Sequence, residues 1–107
     1  MTAGVNSPTR YAFDWDPRKA ASNHAKHGVS FDEAMSVFGD PLQLSRLDQD
    51  HGADEERWVT LGMNGKRKLL IVVHTYAEVG DNDAMIRILS ARSPTRRETR
   101  QYEGARQ

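Results

Sequence analysis

The sequence predicts an α+β domain: a largely antiparallel sheet with helices packed on one face, in the order β-α-α-β-β-β-β-α. Three observations predict it. Two helix-start signals, Asp16-Pro17 and Ser30-Phe31-Asp32-Glu33, follow a single short aromatic segment. The run at residues 69–73, LLIVV, is apolar on both faces and lies just beyond a turn signal, Asn64-Gly65. A last strand then passes through Ser93-Pro94 into a polar helix, so there are two N-terminal helices and one C-terminal helix.

Each element has its own physical signature. Residues 11–15, YAFDW, alternate aromatic and polar side chains, the period of a half-buried strand. Asp16 supplies an N-cap carboxylate, and proline at the first helical position gives up no hydrogen bond. The helix should run to about His27, with Gly28 as its left-handed terminator. Ser30 and Glu33 form a capping box, behind which Phe31, Ala34, Met35 and Phe38 make one apolar stripe. Gly39-Asp40-Pro41 stops that helix, and Leu42, Leu44 and Leu47 suggest a short strand. Strands at 57–63 and 68–76 flank Asn64-Gly65, which favours a type I′ hairpin because both central residues need positive φ. The apolar 69–73 run belongs in the middle of the sheet. Residues 80–83, GDND, turn the chain into a last strand at 85–91, and Ser93-Pro94 is read as a second cap-plus-proline start for a helix toward Tyr102.

Composition bounds the function. The 107 residues suit one domain, read as 11–107, after a polar, flexible lead-in at 1–10 that lacks the apolar run of a secretory signal. With no cysteine there is no disulfide framework, thiolate metal site or thiol nucleophile. No stretch approaches the roughly 18 consecutive apolar residues of a membrane span, so no membrane association is expected and the cytoplasm is the default location. Net charge is zero but uneven. Residues 1–54 carry five Lys/Arg against eight Asp/Glu, and residues 55–107 carry ten against seven. From Arg87 onward six arginines face only Glu98 and Glu103. A basic end of this kind can hold a phosphate backbone locally.

The candidate site residues follow from that end. Arginine suits phosphate because its guanidinium is a planar, permanently charged fork of donors. Arg87 lies between Ile86 and Ile88 on the last strand, and Arg92 lies where strand hands over to helix. Arg57 and His74 are expected in the same sheet. Arg96, Arg97 and Arg100 are either a solvated helix face paired with Glu98 or Glu103, or a surface for RNA or a partner. Lys26 and His27 close the first helix, where the macrodipole favours a histidine cation; the competing reading makes His27 a C-capping residue. His74 can be catalytic or simply packed and hydrogen-bonded. His51 lies in an acidic loop with Asp48, Asp50, Asp54, Glu55 and Glu56, a segment read as solvated. Glu56 stands apart because a carboxylate beside a phosphate-binding arginine can act as a base. The histidines lack the spacing of a helical zinc site, so no metal and no cofactor is expected.

Three segments taken together, FDWDPRKAASNHAKHGVSFDEAMSVFGDP, ERWVTLGMNGKRKLLIVVHTY and IRILSARSPTRRETRQYE, resemble the BrnT family of bacterial toxins over almost all of residues 13–103. The combination of F-x-W-D-P, K-H-G-V-S-F-x-E-A, E-R-W, V-V-H-T and I-R-I-x-S-A-R is specific, although each piece alone is weak. The resemblance implies a RelE-like fold and a ribonuclease that reduces translation. It also implies a BrnA-type ribbon-helix-helix antitoxin, through which alone the complex meets DNA to repress its own operon. On that reading Arg57, Arg87 and Arg92 hold and polarise the scissile phosphate. His27 or Lys26 handles protons, and His74 and Glu56 are further candidates. The alternative is a non-catalytic binding module, or a degenerate toxin that acts only within its antitoxin complex.

Overall fold

The computed structural model describes residues 10–48 and 56–105. Most of the 1–10 lead-in and of the acidic loop, including His51, Asp50, Asp54 and Glu55, lies outside the described residues. Strand β1, Arg10–Asp14, leads into helix α1, Pro17–His27. The Asp16 carboxylate accepts from the Arg18 N–H at 2.9 Å, and Gly28 ends the helix at φ 70°, donating to the His24 carbonyl. Helix α2, Phe31–Met35, opens on the expected capping box between Ser30 and Glu33. It is shorter than the apolar stripe suggests, because residues 36–39 tighten into a 3₁₀ turn. That tightening buries Val37 together with Phe31, Ala34 and Phe38.

Strands β2, Leu44–Asp48, β3, Arg57–Met63, and β4, Leu69–His74, follow, then a three-residue β5, Ala77–Val79, and the long β6, Asp83–Arg92. Helix α3, Arg96–Ala105, completes the described chain. The sheet order is β1-β6-β4-β3-β2, with β5 also on β6. As expected, β4 is central.

Four differences from the sequence reading have physical causes. The sheet is mixed: β1 runs parallel to β6, pairing Phe13 with Ile86 and Asp14 with Arg87, because α1 and α2 carry the chain back before the antiparallel strands begin. β5 adds a strand to the expected order, since residues 68–76 break after His74 and the chain pairs again with β6. The hairpin at Asn64 is not a two-residue type I′ turn. The positive φ falls on Arg67, and the Asn64 side-chain oxygen gathers the Lys66 and Lys68 N–H groups at 2.8 and 3.0 Å. That Asx geometry lengthens the loop. At α3 the cap is Thr95 rather than Ser93: Thr95 and Glu98 exchange the two capping-box bonds.

The helices do not share one face. Leu70, Val72, Ile86, Ile88 and Ala91 point to the side of α1 and α2, where Val29, Phe31, Ala34, Val37 and Phe38 fill the larger core. Val59, Leu61 and Ile71 point to the other side and meet Tyr102 of α3. Strand alternation makes both faces apolar, which is why the central strand reads as an unbroken hydrophobic run. The Tyr102 hydroxyl donates to Asp40 Oδ2 at 2.6 Å, and the same oxygen accepts from the Met63 N–H at 2.8 Å, tying α3 to the hairpin end of β3.

Candidate active site

α1 lies along the part of β6 that β1 does not reach. β1 pairs with β6 only as far as Arg87, so the edge groups of Ala91 would be left without partners. Asn23 takes them instead. Its side-chain oxygen accepts from the Ala91 N–H at 3.0 Å, and its amide donates to the Ala91 carbonyl at 2.8 Å and to the Val29 carbonyl at 3.0 Å. A single buried side chain thus fixes the register of the helix against the strand.

The bracing sets up a cleft of about 450 Å³. On the helix side its walls carry Arg18, Lys19, Ser22, Lys26 and His27; on the sheet side they carry Arg57, Val73, Leu89 and Ser90. Residues 18/19, 22/23 and 26/27 recur at helical spacing, so one stripe of α1 faces the cleft. The sheet side is shaped by a bulge. Val73 pairs with Ser90 and His74 with Ile88, which leaves Leu89 without a partner and brings it beside Ser90. No carboxylate lines the cleft among the described residues. Four basic side chains and His27 therefore share one concave surface. Such a surface suits a phosphodiester: cations bind its charge, and the histidine can exchange a proton.

Of the residues singled out from the sequence, the structure brings Lys26, His27 and Arg57 together in this cleft and leaves the others elsewhere. Arg87 lies in the parallel ladder opposite Asp14 and forms a close ion pair with its carboxylate. Arg92 meets Glu98 in a two-pronged pair, both contacts at 2.9 Å, and also donates to the Ser93 carbonyl. Arg92 is thereby tied to the α3 cap, and its guanidinium, bonded to Thr95-capping Glu98, holds that carboxyl down at about 2. Arg96, Arg97 and Arg100 are exposed along α3, so Glu98 serves Arg92 rather than any of them. Glu56 is exposed just before β3.

His74 points to the opposite face from the cleft. It is 3% exposed, with Nδ1 donating to the Thr75 carbonyl at 2.9 Å and Nε2 taking the Thr60 hydroxyl at 2.7 Å. A carbonyl can only accept, so Nδ1 carries the proton. Thr60 then donates to Nε2 and accepts from Ser45 at 2.7 Å. Burial pushes the imidazole below its ordinary value, keeping it neutral. Phe38 stands edge-on to the ring at 4.8 Å between centroids.

Sequence reasoning passed over Arg18, Lys19, Ser22, Asn23 and Ser90. The helical residues carried a usable signal: their spacing matches Lys26 and His27 on one face, and Asn23 interrupts the buried side of α1. Ser90 carried none, because only the bulge decides which way it points.

The fold and cleft define a small mixed-sheet α+β protein with a cationic site built between its first helix and the sheet. A family model described as the ribonuclease toxin BrnT of type II toxin–antitoxin systems matches residues 15–98, and the chain belongs to that family. The 1.1 Å crystal structure of the Brucella abortus ribonuclease toxin BrnT is similar in fold, with a TM-score of 0.52 at 22% identity, covering 82% of this chain and 100% of that one. No curated protein sequence matches the chain.

Proposed function

We propose that the chain is an endoribonuclease that cuts RNA without a metal, by attack of a ribose 2′-OH on the adjacent phosphorus, and so reduces translation. The observation that carries this reading is the convergence of Arg57, Lys26 and His27, from separate elements, in one cleft free of described carboxylates. In the reaction the 2′-oxygen bonds to phosphorus as its proton passes to a base. Charge builds on the non-bridging oxygens, and the 5′-oxygen leaves with a proton from an acid. A 2′,3′-cyclic phosphate and a 5′-hydroxyl result. Arg57 binds the developing charge, with Arg18 and Lys19 beside it. His27 and Lys26 are the proton carriers, because they share the cleft with Arg57.

Arg87 and Arg92 belong to the same proposal as phosphate contacts that must first leave Asp14 or Glu98. Glu56 remains the carboxylate nearest Arg57 in sequence and a candidate base, and His74 is a further candidate whose burial favours a structural part. Arg96, Arg97 and Arg100 form a rim for RNA or for the antitoxin. The reading includes a single RelE-like toxin domain at 11–107, a cytoplasmic site of action, and neutralisation by a BrnA-type ribbon-helix-helix antitoxin through which alone DNA is met. Complementary charge gives such a partner both steering and inhibition.

The test is cleavage of RNA by the purified full chain in excess EDTA, followed by analysis of the product ends. Cyclic phosphate termini that persist in EDTA and vanish in Arg57→Ala support the reading. Cleavage lost in EDTA and restored by a divalent cation defeats the metal-free step. A folded chain that cuts no RNA, with or without ribosomes, favours the non-catalytic binding module.

A further inference from the structure

We propose that a second pocket, on the sheet face opposite the cleft, receives an unstacked nucleobase of the RNA, so that the chain reads a base as well as a phosphate; this rests on the ribonuclease reading. The pocket holds about 190 Å³ and is walled by Tyr11, Phe38, Trp58 and Tyr76 around His74. Five rings from four separate parts of the chain thus surround one small space, and no Lys, Arg, Asp or Glu lines it among the described residues. A phosphate or sugar gains little there, whereas a base offers a planar π-face to stack and a polar edge to bond.

The pocket is already rigid. His74 is locked between Thr60 and the Thr75 carbonyl, and Phe38 packs edge-on against it, so neither ring swings to close the space. Tyr11 stands at the mouth, 39% exposed, with its ring 6.2 Å from that of Phe38. The polar atoms at the wall point to one kind of edge. Gln43 spends its amide N–H groups on the Phe38 and Asp40 carbonyls, both at 3.0 Å, and so presents its oxygen. Ser45 spends its proton on Thr60, leaving acceptor lone pairs. Acceptors call for N–H donors, which every base carries on its pairing edge and an aromatic hydrocarbon side chain lacks.

Position also fits. Arg57 lines the cleft and Trp58 lines the pocket, and they are consecutive on β3. Successive strand residues present opposite faces. An RNA strand that lays a phosphate on Arg57 and passes around the start of β3 therefore delivers a neighbouring base toward Trp58.

The test uses the full chain with Trp15→Phe, which leaves Trp58 as the sole indole of the two in the sequence. The probes are a 2′-O-methyl RNA pentanucleotide, which cannot be cut by 2′-attack, and an abasic oligonucleotide of the same length. We expect saturable quenching of Trp58 by the first and at least about fivefold weaker binding of the second. Tyr11→Ala, at the exposed mouth, should weaken quenching by at least about fivefold with an unchanged melting temperature. Should Trp15→Phe fail to fold, Trp58→Phe in the natural chain gives the same comparison by the quenching it removes. Equal affinity for both probes with Trp58 emission unmoved overturns the base site while the cleft reading stands. Absence of binding by either probe, together with absence of RNA cleavage, overturns both. If Tyr11→Ala keeps its RNA affinity but loses capture by the antitoxin, the pocket belongs to the protein partner and the proposal falls.

Discussion

Asn23 and Ala91 are hydrogen-bonded in both directions, side chain to backbone, so that a helical residue stands in for the missing neighbour of an interior-sheet position. The sheet needs this because β1 ends at Asp14, short of Ala91. The helix face that carries Lys26 and His27 is positioned by the same bonds.

Asn23→Ala should therefore destabilise the chain by about 1–3 kcal/mol or more, the cost of leaving buried backbone groups without partners. Asn23→Asp keeps an acceptor for the Ala91 N–H but turns a carboxylate toward two carbonyls, and should be no better. Urea unfolding of the three proteins measures both. Stability that is unaltered in Asn23→Asp would show that the amide donations matter little.

Gly62 is required by packing rather than by its backbone. A Cβ there would stand 2.8 Å from Val37 Cγ1 and 3.3 Å from Gln43 Cβ. Val37 is fully buried, so it cannot move aside freely. Gly62→Ala should cost about 1–3 kcal/mol through overpacking. Combined with Val37→Ala, the loss should be clearly less than the sum of the two single changes. Additive losses in a double-mutant cycle would contradict the contact.

Glu98 gives a pH signature. Its carboxyl sits at about 2, chiefly through the Arg92 pair and also through the Thr95 N–H. A depressed folded value contributes stability that is present above the ordinary carboxylate value of 4.5 and is lost as pH falls from there through about 2. Glu98→Gln should cost about 0.5–2 kcal/mol near neutrality, the scale of a lost cap. The gap between it and the natural chain should close across that acid window, as followed by thermal melts.

His74 acts at higher pH. Burial lowers its value from 6.5, so the neutral ring stabilises the fold above that pH and the contribution falls away as pH drops below it. Nuclear magnetic resonance titration of the ring should give a midpoint below 6.5. Thr60→Val removes the hydroxyl that Nε2 accepts and should cost about 1–3 kcal/mol. A ring that titrates above 6.5 would mean that the Thr60 bond does not hold the neutral form.

The cleft predicts a separation of effects. Lys26→Ala and Arg57→Ala, on half-buried or exposed side chains, should change stability by less than about 0.5 kcal/mol. Both should still reduce RNA cleavage by at least about 10²-fold, the usual scale for a lost general acid–base partner or charge stabiliser. Arg92→Ala should lose stability as well as rate, because it gives up the α3 cap pair with Glu98 along with the proposed phosphate contact. Stability is read by urea unfolding and rate by single-turnover cleavage.

Much of the architecture was legible locally. The Asp16-Pro17 start, the Gly28 stop and the Ser30–Glu33 box are satisfied by groups within four residues, so sequence spacing alone predicts them. The hairpin formed but its turn type failed for a related reason: Asn64 has a side chain that competes for the turn, and its grip on Lys66 and Lys68 outweighs the dipeptide preference. In the site, the ion pairs of Arg87 and Arg92 were not legible, because Asp14 is far away in sequence and Glu98 had been read as a partner of the α3 arginines.

The sequence by itself determined the three helices and every strand but β5, that β4 is central, and the basic character of the C-terminal end. These depend on periodicity, caps and composition, which are properties of neighbouring residues. The tertiary structure alone decided which cations meet. A parallel β1 gives Arg87 a carboxylate, a bulge at Leu89 shapes the floor, and Asn23 docks α1 so that Lys26 and His27 face Arg57. Each of these joins residues at least fourteen positions apart, and such pairings are set by packing and edge satisfaction rather than by local pattern.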